Sequence, residues 1–138
     1  MIFLPVLAQI LLTAVVFVAL AVAKSRAVKS GEVDEARRAL FGDAWPEYVI
    51  QINNNLRNQF ELPVLFYVLC FMFWALDAAT PAIHALAWLF VASRIIHAAI
   101  HTGSNFVPIR RNVFMFGFLV VMALAVLALV NILRSATF

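Results

Sequence analysis

Hydrophobic positions along this chain fall into long blocks parted by short polar stretches. From Met1 to Ala23 no side chain is ionisable, and only Gln9 and Thr13 are polar. At about 1.5 Å per residue such a run crosses the roughly 30 Å hydrocarbon layer of a bilayer. Val113 to Val130 is a second run without a polar residue. Between them lie Leu62 to Leu76, then Asp77, then Ala78 to Ser93, then Arg94. A single helix over Leu62–Ser93 would be about 48 Å long, and Pro81 would interrupt its hydrogen-bond ladder. The pattern therefore predicts two spans joined by a tight turn. Asp77 or Thr80 caps the second of them, and Pro81 sits in its first turn, where a missing N–H costs nothing.

The predicted spans cover approximately residues 2–24, 55–76, 81–101 and 112–133. The fold class is all-α, an integral membrane four-helix up-down bundle in a single domain over residues 1–138. Ser30 to Ile52 is the one sizeable polar piece, and Glu32, Asp34, Glu35, Arg37 and Arg38 suggest a short charged helix. Asp43 to Pro46 reads as a break before Tyr48 leads into the second span.

Composition agrees, with 65% hydrophobic and only 12% charged residues, against roughly 25% charged in a soluble domain. The first run has no basic residues ahead of it and is long for a signal sequence, so it reads as a retained span. Lys24, Arg26, Lys29, Arg37, Arg38 and Arg57 lie between spans one and two, and Arg110 and Arg111 precede span four. The positive-inside rule then makes both charged loops cytoplasmic and puts both termini on the other side, with a bacterial inner membrane as the expected location. The net charge of +3 sits where anionic headgroups meet it and calls for no nucleic acid. Cys70 is a single cysteine inside an apolar run, which suits packing.

Two polar stripes carry the candidate chemistry. Asn54, Asn58 and Glu61 are spaced i, i+4, i+7, and Arg94, His97 and His101 are spaced i, i+3, i+7, so each set shares a helix face. Both lie toward the same end of their spans, where Arg94 can pair with Glu61 to offset the cost of placing either near hydrocarbon. One reading is structural, with the pair tying two spans together. A metal site from His97, His101 and Glu61 is a weak alternative, and no metal is assigned. A third reading is an anion site, where Arg94, Arg110 and Arg111 with the amides of Asn54 and Asn58 hold carboxylates and stabilise a bound thiolate. A lipophilic electrophile then reaches the same cleft from the bilayer. No stripe of polar residues runs right through a span, which disfavours a channel or transporter.

At this point the chain resembles the MAPEG family, the membrane-associated proteins of eicosanoid and glutathione metabolism, in a bacterial-type form. The likeness rests on four spans in about 140 residues, on Asn58-Gln-Phe-Glu61-Leu-Pro63 entering span two, and on Arg94-Ile-Ile-His97 followed by Arg110-Arg111 before span four. The resemblance implies a homotrimer in membrane lipid, with glutathione as cosubstrate in clefts between subunits and a lipophilic small molecule as its partner. It assigns glutathione contacts to Asn58, Glu61 and Arg94, and thiol activation to Arg110 or Arg111. His97 and His101 stand where many relatives have tyrosines, and Asn54 where many have an arginine. The expected function is a glutathione-dependent transferase or peroxidase, with a noncatalytic MAPEG-like protein binding a lipid or protein partner as the alternative.

Overall fold

The structure, a computed structural model, describes residues 1–135, and among these it is all-helical. Helix α1 is Phe3–Ser30, α2 Glu47–Asn58, α3 Leu62–Ala75, α4 Pro81–Thr102 and α5 Val107–Ser135. Four stretches are long and apolar enough to cross a membrane: α1, the combined Glu47–Ala75, α4 and α5. The fold class read from the hydrophobic blocks is therefore what the chain adopts.

Local sequence explains the helix ends. Thr80 caps α4, its Oγ1 accepting from the Ile83 N–H at 3.4 Å, with Pro81 as the first helical residue. Asp77, at φ 49, lies in the turn before it. Helix α1 stops at Gly31, whose φ of 73 lets the N–H groups of Gly31 and Glu32 reach back to Val28 and Ala27. A glycine takes this left-handed conformation without a steric penalty.

The stretch predicted as a short charged helix is instead a series of turns. Arg37 and Arg38 N–H groups both reach the Asp34 carbonyl, and a single 3₁₀ turn, Gly42–Ala44, follows. The segment is short and almost wholly exposed, so it lacks the buried apolar face that normally sustains a short helix. Its shape comes from side chains: Arg37 donates to both oxygens of Asp43 at 3.0 and 2.8 Å. Those hydrogen bonds and the opposite charge raise the Arg37 pKa above its ordinary value.

Away from the charged loops, the core between α3, α4 and α5 is apolar. Phe66, Phe73, Phe90, Val121 and Leu124 are fully buried, with Cys70 among them. Phe66 and Phe90 stack with ring centroids 4.5 Å apart. Lower down this seam Gly117 lets α5 approach α4 closely, since a Cβ there would lie 2.9 Å from the Ser93 Oγ. Small residues serve this purpose in bilayers, where packing rather than the hydrophobic effect joins helices. The opposite faces of the helices expose large apolar side chains such as Leu11, Val15 and Leu119, as a lipid-facing surface does.

Candidate functional site

The site begins with a step in the second span. Helix α2 ends at Asn58, the Gln59 and Phe60 N–H groups bond only three residues back, and Glu61 takes φ −97, ψ −100 before α3 starts at Leu62. Pro63 contributes to the break, because it has no N–H to offer the Gln59 carbonyl one turn earlier. In a continuous helix the Asn58 carbonyl would accept from the Leu62 N–H. The step leaves that carbonyl to Arg94, whose Nη2 donates to it at 2.9 Å.

This geometry corrects two expectations. Asn54, Asn58 and Glu61 do not share one helix face, because Glu61 lies beyond the end of α2 and is exposed. Arg94 makes no ion-pair contact with Glu61 either; its Nη2 goes to the Asn58 carbonyl instead. The physical reason is the same in both cases. The stripe presupposes an unbroken helix, and the step swaps a side-chain partner for a main-chain one.

The α4 stripe does form a single buried face. Arg94, His97 and His101 are 1, 2 and 4% exposed. The two imidazoles meet edge to face with centroids 5.5 Å apart, and His97 also lies against Phe114 of α5. The Arg94 guanidinium rests over the same Phe114 ring, 5.8 Å from its centroid, a cation–π placement. Asn58 Nδ2 lies 3.3 Å from His101 Nδ1. With the amide as donor, that nitrogen is the acceptor and the ring proton sits on Nε2. Gln51 fixes α2 to the end of α4 by donating to the His101 carbonyl at 2.7 Å.

The first turn of α5 closes the arrangement. Arg110 is held by the Asn105 side chain, and Asn105 itself has φ 50. A crevice of about 280 Å³ is lined by Asn58, His97, Val107, Arg110, Arg111 and Phe114. A neighbouring hollow of about 250 Å³ includes Asn54, His101 and Asn105. Of the residues singled out from the sequence, Asn58, His97, Arg110 and Arg111 thus line one crevice, and Arg94 adjoins it through Asn58 and Phe114. Asn54 and His101 border the second hollow, while Glu61 lines neither. His97, His101 and Glu61 are not gathered as three ligands; among the described residues no three His, Cys, Asp or Glu side chains are.

What the crevice can do follows from its unpartnered polar atoms. Arg94 Nε and Nη1 and His97 Nδ1 are buried and have no hydrogen-bond partner in the protein. A buried unsatisfied polar group costs about 1–3 kcal/mol, and more when charged. Acceptor oxygens brought to Arg94 would remove that cost, and Arg110 and Arg111 add two further positive charges at the rim.

One polar network escaped the sequence reading. Gln9 Nε2 donates to Gln59 Oε1 at 2.9 Å, and Gln59 Nε2 donates to Asn55 Oδ1 at 3.3 Å, with all three residues essentially inaccessible. The signal was present: a lone glutamine in an otherwise apolar span needs an internal partner, because lipid supplies none. The sequence offered no means of choosing Gln59 as that partner.

Comparison with known families gives a match over most of the chain. The model of the MAPEG family matches residues 2–130. No curated protein and no solved structure matches the chain significantly.

Proposed function

The chain belongs to the MAPEG family, and from this premise we propose that it is a membrane-bound glutathione-dependent enzyme acting on lipophilic electrophiles. The observation that carries the reading is Arg94, buried to 1% exposure with two guanidinium nitrogens lacking partners beside a crevice rimmed by Arg110 and Arg111. Glutathione fits this donor set, since it bears two carboxylates to meet forked or charged donors and one thiol to be activated.

In the proposed mechanism Arg94 and Asn58 orient the tripeptide from below, with His97 lining the crevice and His101 steadying the Asn58 amide. Arg110 or Arg111 stabilises the thiolate once its proton has left to solvent, as a nearby positive charge favours the ionised sulfur. The sulfur then forms a C–S bond to the electrophilic carbon, whose displaced electron pair leaves with its leaving group or takes up a proton. Attack on the terminal oxygen of a lipid hydroperoxide instead forms an S–O bond and breaks the O–O bond, releasing the lipid alcohol once its alkoxide is protonated; a second glutathione then displaces water from the sulfenic acid to give the disulfide. Asn54 and Glu61 lie outside the crevice of a single chain, and in a homotrimer they would face the cosubstrate only from a neighbouring cleft.

That displacement of Asn54 and Glu61 favours a second reading, a noncatalytic MAPEG-like protein that holds a lipid or protein partner in the same crevice. Glutathione binding to detergent-purified protein separates the two. Saturable binding at millimolar glutathione, lost in Arg94→Ala, supports the enzyme; a folded parent that does not bind rules it out. Thiolate absorbance in Arg110→Ala and Arg111→Ala then identifies the activating residue, and no loss in either removes both from that role. Mass measurement in a mild detergent tests the trimer, which a stable monomer would contradict.

A further inference from the structure

We propose a second binding site on the charged first loop, for the phosphate headgroup of an anionic phospholipid. It shares no lining residue with the crevice, although Asn54 borders it, and it does not depend on the thiol reading. A hollow of about 280 Å³ opens between the end of α1, the folded loop and α2, and its lining includes Lys24, Arg38, Trp45, Asn53 and Arg57. The lining contains three cationic side chains and no Asp or Glu. Only Arg38 among them is already paired, at 2.9 Å from Glu35.

The hollow is a built structure. The Lys24 ammonium sits over the Trp45 ring, 5.0 Å from its centroid. Trp45 in turn donates from Nε1 to the Arg38 carbonyl at 3.4 Å, and the Asp34 N–H bonds to the Ala44 carbonyl at 3.0 Å. The Arg37–Asp43 clasp closes the same turn. These contacts hold Arg38 and Lys24 on one wall, while α2 presents Asn53 and Arg57 from the other.

Depth and flanking surface select a lipid over a free anion. Lys24 lies about 32 Å along α1 from Phe3 at 1.5 Å per residue, which is the thickness of the hydrocarbon layer, so the hollow sits at headgroup level. Two of its lining residues, Leu40 and Phe41, are 86 and 51% exposed. Apolar side chains beside a cationic hollow at that depth suit a molecule with a phosphate at one end and acyl chains at the other.

Native mass spectrometry of the full chain in mild detergent tests this, using phosphatidylglycerol and phosphatidylcholine as probes and inorganic phosphate as competitor. Phosphatidylglycerol should be retained at least tenfold better than phosphatidylcholine. Lys24→Gln and Arg57→Gln should each weaken its retention about fivefold, the effect of one basic residue near a surface, whereas Arg57→Lys should preserve it. Equal retention of the two lipids by the parent overturns the proposal without any variant, and so does unchanged retention in both glutamine variants. Displacement of the lipid by millimolar inorganic phosphate would assign the hollow to soluble anions and overturn the lipid assignment. Glutathione binding measured on the same Lys24→Gln and Arg57→Gln proteins should stay at the parent's level, which keeps the two sites distinguishable.

Discussion

Helix α4 serves two unlike interiors. Its first half gives Ile83, Ala87, Phe90 and Val91 to an apolar core, and its second half turns Ser93, Arg94, His97 and His101 to an interior that is also closed to solvent. The two halves are buried alike and differ in how many polar atoms burial leaves without a partner. Around Phe90 every neighbour is content with dispersion contacts; around Arg94, three polar atoms of Arg94 and His97 have no partner. Closure alone therefore does not mark a site. Closure that gathers several unmet polar atoms beside a crevice does; the unmet His84 Nε2 in the first half stands alone.

The largest effects should come from breaking each half separately. Arg94→Ala should lower glutathione affinity roughly 30-fold or more, about 2 kcal/mol, as expected for a central buried arginine anchor, and calorimetric titration reads it. Phe90→Ala should reduce unfolding stability by on the order of 2 kcal/mol, below the usual 3–5 because lipid removes most of the transfer term and leaves the cavity term. Its glutathione affinity should change less than about twofold, a factor small against the 30-fold effect of the charged anchor. If the two variants exchange these phenotypes, the division of α4 is wrong.

Smaller changes probe the boundary. Gly117→Ala should cost about 1–2 kcal/mol in thermal or denaturant unfolding, because its methyl would press on Ser93 Oγ in an already filled seam. Ser93→Ala should recover part of that loss, since it removes the atom in the way, although the Ser93 bond to the Phe90 carbonyl at 2.6 Å goes with it. Gln59→Leu should cost about 1.2 kcal/mol, since it removes the bonds to both Gln9 and Asn55 at about 0.6 kcal/mol for each side-chain bond in a membrane protein. A much larger loss would show that the Gln9–Gln59–Asn55 chain acts as a unit.

The apolar half was almost fully legible from the chain. Long apolar runs, a threonine and proline at the start of α4, and an aspartate in the preceding turn describe that part of the bundle because local geometry decides them. The face of Arg94, His97 and His101 was legible for the same reason, since α4 continues unbroken through it. The α2 stripe was not. Spacing counts assume a regular helix, and the step at Gln59–Glu61 moves Glu61 off the face that its spacing assigns. Pro63 signalled a disturbance, yet the helix gives way several residues before it, where backbone and tertiary contacts act together. The charged loop misled for a related reason: its acidic and basic residues are helix-compatible, but their strongest pairings, Arg37 with Asp43 and Arg38 with Glu35, close turns instead.

Arg94 is anchored on the Asn58 carbonyl, not on the Asn58 amide. A main-chain oxygen is present whichever side chain occupies position 58, so the anchor is indifferent to replacement there as long as the helix still ends at that residue. Position 58 can consequently drift between side chains, altering what the crevice recognises, while the guanidinium keeps its place.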